Sequence, residues 1–353
     1  MPVSATDIAD LVATTLNEYG ENRFTDLITD YRNTIALRRL INDKSEKPKR
    51  GTEIEFRIMY DHNNSARHVP LGYTAVVDIP NTMTYGKIPY RFTTWNWAIE
   101  RRMISMNMSP KRIVNIALVE RVAALASAAI LFERTLWRAP AADDVVTPYG
   151  IPYYVVKSNT AATAANNNGF NGTVPAGHTT VANVSPTVLA RWRNYATQYT
   201  TMTQDDLIPK LDRAMTMTNF IPIVKQVPEY NTGNDLEIYT NYNVEFPLKQ
   251  LAKAQNENLG FDLDPADGRV MYRRAKIVSV AELDNDTTDP LYGINWGEMA
   301  VERLADEWMH ETVFPSLPSQ PTVSFTNTDC AWNLICRNRR RQFVLAKDTT
   351  MPA

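Results

Sequence analysis

This 353-residue chain has little that suits covalent or metal chemistry. It has two cysteines, Cys330 and Cys336, six positions apart near the C-terminus, and four histidines, His62, His68, His178 and His310. A structural zinc site needs four ligands at close spacing, and no Cys-x-x-Cys or paired histidine supplies them. No two histidines stand three or four apart, so no helix face carries a pair of ligands. Two cysteines in this setting read as free, buried thiols of a chain folded in a reducing cytosol. Glycine is scarce, at 13 residues, and neither a Gly-x-x-x-x-Gly-Lys nor a Gly-x-Gly-x-x-Gly phosphate turn occurs. A nucleophile elbow is absent as well. Charge of one sign is also missing: 37 basic residues face 39 acidic ones, for a net of −2. That balance argues against a dedicated nucleic-acid binder, while leaving room for a modest basic patch on one face. The longest apolar run, 122–132, is bracketed by Arg121 and Glu133 and is too short to span a bilayer, so it reads as a core helix. No basic region followed by an apolar run opens the chain, so no secretory signal is expected.

Hydrophobic residues make up 44% of the chain and charged residues 22%, enough core material for two domains or one elaborated domain. Residues 1–50 form a helix-leaning arm with a broken apolar stripe, ending in a solvated break at 43–51. Residues 53–58 alternate with period two, a polar tip follows at 61–65, and return strands are expected at 75–79 and 87–92. Ser109-Pro110 starts a helix expected to run to Arg138, about 43 Å at ~1.5 Å per residue. The low-complexity stretch 158–183 reads as a flexible surface insertion. A helix is expected from Ser185-Pro186 to about Thr200, and another after Thr203 with Asp205 and Asp206 in its first turn. Strands are expected at 220–227, 235–242 and 269–280, with a helix at 247–259 stopped by Gly260. Late strands are expected at 322–325, 331–336 and 342–345, and there is no internal repeat.

Asp284, Asp286 and Asp289 resemble half a calcium loop, but the sixth position is Asp289 and the twelfth Asn295, where glycine and glutamate belong. A turn held by side-chain-to-backbone hydrogen bonds is the expectation. Arg337, Arg339, Arg340 and Arg341 form a basic run. It suits either phosphate contacts or a charged strand edge that meets carboxylates of a neighbouring subunit. The near-neutral net charge favours the second. The seven tryptophans are widely spread and read as core or interface anchors. No stretch interleaves aromatics with basic residues as a nucleic-acid stacking platform would.

Several long segments carry a family likeness: 16–44, PYGIPYYVV at 148–156, RWRNYATQYTTMTQDDLIPKLDRAMTMTNF at 191–220, the stretch 231–296, and RRRQFVLAK at 339–347. With the order of pieces, they resemble the tailed double-stranded-DNA bacteriophage major capsid proteins of the Hong Kong 97-type capsid fold. The resemblance implies an α+β chain with an N-terminal arm (1–50) and an extended β-hairpin loop lying over the adjacent subunit (51–108). A long spine helix with the first part of a peripheral domain (109–158), an axial domain (159–304) and return strands of the peripheral domain (305–353) would follow.

The function implied is self-assembly into pentamers and hexamers that form the icosahedral head shell around double-stranded DNA, with no catalysis and no cofactor. It implies a virion location after assembly in the host cytoplasm, no membrane contact, and a portal protein and decoration protein as partners. Packaged DNA would be held by non-specific contacts. The arm begins almost at once after Met1, so a separate scaffolding protein or none is expected, and no cleavage. The family's founding member joins a loop lysine to an asparagine of a neighbour with the help of a glutamate. Here Lys87 is the only lysine between Gly51 and Pro110, and no motif marks Asn327, Asn333 or Asn338 as acceptor, so a non-covalent shell is expected. The candidate inter-subunit contacts are Arg57, Arg67, Lys87, Arg91, Arg339, Arg340 and Arg341. Two other readings stand beside this one: an encapsulating compartment of the same fold holding protein cargo, and a hydrolase using carboxylates such as Asp284 and Asp286.

Overall fold

The computed structural model describes residues 51–61, 66–74, 81–100, 102, 110–158, 167–220, 235–259, 270–314 and 321–348. The expected arm at 1–50, the return strand at 75–79, the strand at 221–227 and Gly260 lie outside the described residues, as does most of the 61–65 tip.

A two-stranded antiparallel hairpin opens the described chain: β1 (Glu53–Met59) against β2 (Met83–Pro89). The period-two pattern gives it two unlike faces. Ile54, Phe56, Ile58 and Ile88 are buried, while Glu55, Arg57, Met59, Met83, Tyr85 and Lys87 point outward. The inner face packs on the chain's own 181–192 segment, with Phe56 6.4 Å from Trp192 and the Lys87 N–H donating to the Ala182 carbonyl at 3.0 Å. The base of the excursion thus lies on its own chain.

β3 (Arg91–Glu100) leads to α1 (Pro110–Leu136), the long helix expected from Ser109-Pro110. A four-stranded antiparallel sheet is organised on β12 (Val323–Cys336), which replaces the two short late strands expected there. β3 pairs along one edge of β12. β10 (Met299–Arg303) and β11 (His310–Phe314) follow one another along the other. The end of α1 packs here, with Phe132 meeting Trp95, Trp308 and Trp332 at 5.2–6.4 Å.

A seven-stranded mixed sheet has the order β4 (Gly169–Gly172), β5 (Asn194–Tyr199), β13 (Phe343–Lys347), β9 (Leu291–Asn295), β6 (Leu236–Thr240), β8 (Ala275–Ser279), β7 (Val270–Tyr272). The C-terminal strand therefore lies inside the sheet, parallel to β5 and antiparallel to β9. Four successive residues, Phe343 to Ala346, are buried, as a strand covered on both faces requires. Strand pairing crosses the expected division at 304/305: Met299–Arg303 pairs with β12, and Phe343–Lys347 pairs with strands of 159–304.

On one face, α3 (Leu207–Thr218) and α4 (Tyr242–Leu259) bury Leu207, Leu211, Ala214, Val244 and Leu248 against Tyr195, Ile277, Phe343 and Leu345. On the other, Trp137 at the end of α1 meets Tyr239 at 5.4 Å and Tyr292 at 5.9 Å. A one-turn helix, α2 (Ile151–Tyr154), fills the corner between the sheets.

The helix expected from Ser185 to Thr200 is a single turn followed by β5. Tertiary pairing overrides local propensity here: the 194–199 backbone completes a parallel ladder with β13, and the Arg193 guanidinium ties the turn by donating to the Pro186 carbonyl at 2.9 Å. α4 starts at Tyr242 and not at Pro247, because Asn241 caps it, its Oδ1 accepting the Val244 N–H at 3.1 Å. Thr203 is not the residue that precedes α3; Asp206 is, and its carboxylate turns back onto the N–H groups of Thr200 and Thr201 at 2.7 and 3.0 Å. The described part of 158–183 is not a surface insertion. It supplies β4, and Asn167 and Val181 are buried. Both cysteines are free and buried, and burial pushes the Cys330 thiol to about 11 and the Cys336 thiol to about 12.

Gly293 on β9 faces Phe343 on β13, and a Cβ at Gly293 would stand 2.0 Å from that buried ring. Gly293→Ala should cost about 1–3 kcal/mol by overpacking. Adding Phe343→Leu should recover part of the loss, as read by denaturant midpoints. A single-variant midpoint equal to the parent's would show that the ring can move aside.

Candidate assembly surfaces

The three consecutive arginines 339–341 occupy a 3₁₀ turn between β12 and β13, and each has a different environment. Arg339 is fully buried. Its Nε donates to the Tyr154 carbonyl at 2.7 Å, one terminal nitrogen to the Trp192 carbonyl at 2.8 Å, and the other to Thr173 O, Asn194 Oδ1 and Gly172 O at 2.8, 3.2 and 3.4 Å. Burial lowers its pKa to about 10, still protonated at neutral pH. Arg341 is buried too, paired with Glu298 at 2.9 Å and donating to the Phe220 carbonyl at 3.0 Å. Both were expected at contacts with a neighbouring subunit; here both are buried, with the hydrogen bonds just described running to partners inside the chain. Arg340 alone is half-exposed, its guanidinium lying over Phe170 at 4.4 Å and Phe220 at 5.2 Å.

The other candidates divide similarly. Arg91 is half-buried, donating to the Asp144 carbonyl at 3.4 Å and lying 5.9 Å from the Tyr149 ring, so it fastens β3 to the loop after α1. Arg57, Arg67 and Lys87 are exposed. Arg57 stands opposite Tyr85, and Lys87 opposite Glu55, to which it bonds at 2.6 Å. Arg67 caps the Tyr73 ring at 4.8 Å beside a turn whose apex, Leu71, is 106% exposed. The outer hairpin face is thus a mixed strip of Met59, Met83, Tyr85, Arg57 and the Glu55–Lys87 pair. The four-stranded sheet adds Phe92, 72% exposed, and Val313 and Phe314 on β11. Apolar side chains left bare on a regular two-stranded ribbon are the usual material of an interface.

The aspartate loop behaves as a turn. Asp284 Oδ1 accepts the Tyr242 N–H at 3.0 Å, Asp286 Oδ1 accepts the Thr288 N–H at 3.1 Å and Asp286 pairs with Lys157, and Asp289 Oδ1 accepts Asn241 Nδ2 at 2.6 Å. Among the described residues no group of three or more His, Cys, Asp or Glu is placed to hold a metal ion. The three asparagines weighed as cross-link acceptors all have internal partners: Asn333 Oδ1 accepts the Tyr149 N–H, Asn338 Oδ1 accepts the Arg340 N–H, and Asn327 donates to Asp329. Phe170, Phe220 and Arg191 were not legible as a group in the sequence. They come from separate segments, and only the fold sets them beside Arg340.

Two outcomes follow from these positions. Arg339→Lys replaces a five-donor fork with three donors on one nitrogen, and should lower stability by roughly 3 kcal/mol or more in denaturant unfolding. Near-parental stability would show that the carbonyls do not depend on the guanidinium. Met83→Ser with Tyr85→Ser should leave unfolding of the unassembled chain within about 0.5 kcal/mol of the parent. The same change should abolish or strongly delay self-association followed by light scattering. Unchanged association would remove the outer hairpin face from the interface.

No protein-family model and no curated protein matches the chain. Solved structures do. The chain is similar to the Cyanophage A-1(L) capsid asymmetric unit, with TM-score 0.58 and 15% identity over 96% of this chain and 99% of that one. It is similar to the bacteriophage PhiM1 mature capsid, with TM-score 0.55 and 11% identity over 94% and 91%. It is also similar to the holo-SrpI encapsulin complex from Synechococcus elongatus PCC 7942, with TM-score 0.51 and 8% identity over 97% of each. The hairpin, long helix and two sheets are therefore those of an α+β phage-capsid fold, the Hong Kong 97 type, and this chain has that fold from β1 to β13.

Proposed function

We propose that the chain is the major capsid protein of a tailed phage. In this reading it self-assembles as pentamers and hexamers into an icosahedral head shell around double-stranded DNA. The observation that carries this is the end-to-end likeness to a phage capsid asymmetric unit, 96% of this chain on 99% of that one. The surface supports it physically, since the exposed outer hairpin strip and the bare residues of β3 and β11 suit contacts with other copies. Such shells draw stability from many contacts of modest strength.

In this role the hairpin is the extended loop and α1 the spine helix. The two sheets are the peripheral and axial domains, with boundaries that follow strand pairing. Arg57, Arg67 and Lys87 are inter-subunit contacts. The shell is non-covalent, forms in the host cytoplasm with a separate scaffolding protein, carries a portal, accepts decoration proteins and becomes part of the virion. The chain works as a structural protein without a cofactor. Among the described residues no helix is long and apolar enough to cross a membrane.

A second reading, a compartment holding protein cargo, is favoured by one observation, the likeness to the SrpI encapsulin complex at TM-score 0.51. Contents separate the two. Electron microscopy of the protein, expressed with and without a scaffolding partner, should show closed shells or regular capsomers. Nuclease-protected DNA in infected-cell particles should mark a head, and co-purifying protein cargo with no DNA a compartment. A monodisperse monomer under all conditions would overturn both.

A further inference from the structure

At the β4 end of the seven-stranded sheet, a group of arginines lacks counter-charges. Arg340 lies over two rings that themselves stack, Phe170 and Phe220, 6.1 Å apart and 24° from parallel. Its backbone N–H goes to Asn338 Oδ1, but its guanidinium makes no ion pair or hydrogen bond among the described residues. Burial first, and then the like charge of nearby Arg191, lowers its pKa. Arg191 is exposed and also has no ion pair among the described residues. Arg213, exposed on α3, lies within electrostatic reach of Tyr195, whose ring meets Phe170 edge-on at 5.7 Å. Three acids of the surrounding elements have other cations: Asp206 holds Lys210 at 2.6 Å, Asp212 holds Arg273 at 2.6 Å, and Glu298 holds Arg341. No stretch of the sequence interleaves aromatics with basic residues; the fold builds a small platform from β4, the second residue after α3, the loop before β5 and the 3₁₀ turn.

A guanidinium seated on aromatic faces is pre-oriented, with its free edge available to oxygen anions. A second cation nearby repels it, and a single carboxylate would neutralise only one of the two. A phosphate backbone, with one charge per ~1.7 Å of duplex axis, can neutralise both. We infer that Arg340, seated on the Phe170–Phe220 platform, and the nearby exposed Arg191 form a non-specific contact for the phosphate backbone of nucleic acid. This rests on the proposal that the shell encloses double-stranded DNA.

The test uses the full, unassembled chain and a fluorescent duplex of about 30 base pairs, with affinity measured by anisotropy across salt concentrations. Each phosphate contact contributes about 0.9 to the slope of log affinity against log salt. Arg191→Gln should reduce the slope by about 0.9 and weaken binding roughly tenfold near 0.1 M salt. Adding Arg340→Gln should reduce it by about as much again, and Arg340→Lys should restore most of that second loss. Arg191 is exposed and makes no hydrogen bond or ion pair among the described residues, so its variant folds even if Arg340→Gln does not. Parental slope and affinity in the Arg191→Gln chain would overturn the inference. So would variants that bind duplex normally but no longer form particles, since that assigns the pair to a neighbouring copy's carboxylates. A parent chain that forms no particles in micrographs would sink the shell reading instead, while the salt slope still decides the patch.

Discussion

The arrangement depends on one buried cation. Where the chain passes from the four-stranded sheet to the seven-stranded one, Arg339 donates to α2, to the end of β4 and to the loop before β5 at once. Its partners are backbone carbonyls and one asparagine oxygen, so its charge is met by dipoles and not by a carboxylate. Removing such a group leaves several buried carbonyls unpaired, and that penalty exceeds the worth of any one bond. The neighbouring polar groups work in the same way. Asn194 exchanges hydrogen bonds with both backbone groups of Val156, and Gln342 with both of Asn295. The side chains supply, at the corner, the pairing that a continuous ladder would have given.

That corner explains why three identical residues in a row have three different fates. Arg339 points into the junction, Arg341 into a buried pair with Glu298, and Arg340 out over two rings. The tight 3₁₀ turn spreads successive side chains around its axis, so adjacent positions cannot share an environment. A basic run in a sequence is therefore not by itself a basic surface. Here two of three charges are inside, and the one left near the surface sits beside Arg191.

Much of the fold was legible wherever a pattern was both local and long. Ser109-Pro110 and the Ala-rich run after it predicted the long helix. The alternation of 53–58 predicted β1, and 235–242 contained β6. What failed was set by partners far away in sequence. NYATQY has no clear period of its own and becomes a strand because FVLAK, about 150 positions on, lies beside it. The same distance hid the place of β13, since a five-residue apolar strand reads alike at a sheet's edge and at its middle. Of the candidate contacts, the exposed Arg57 and Lys87 could be placed on the outer hairpin face from alternation alone. Arg339 could not, because a buried arginine is recognised only by the carbonyls that the fold assembles around it.

In the proposed role, the hairpin makes the link from sequence to assembly most directly. A two-stranded ribbon buries one face at most, and by itself it is marginal. Here the inner face is covered by the chain's own 181–192 segment, so the ribbon is ordered before any partner arrives. The outer face can then carry methionine, tyrosine and a loose Glu55–Lys87 pair without a folding penalty, since nothing inside depends on them. Pre-ordering one face while leaving the other bare lowers the entropy lost on association. The strip is mixed and not wholly apolar, so the free chain keeps a soluble surface. In the proposed shell, a contact repeated many times over can be individually weak and still hold the assembly together.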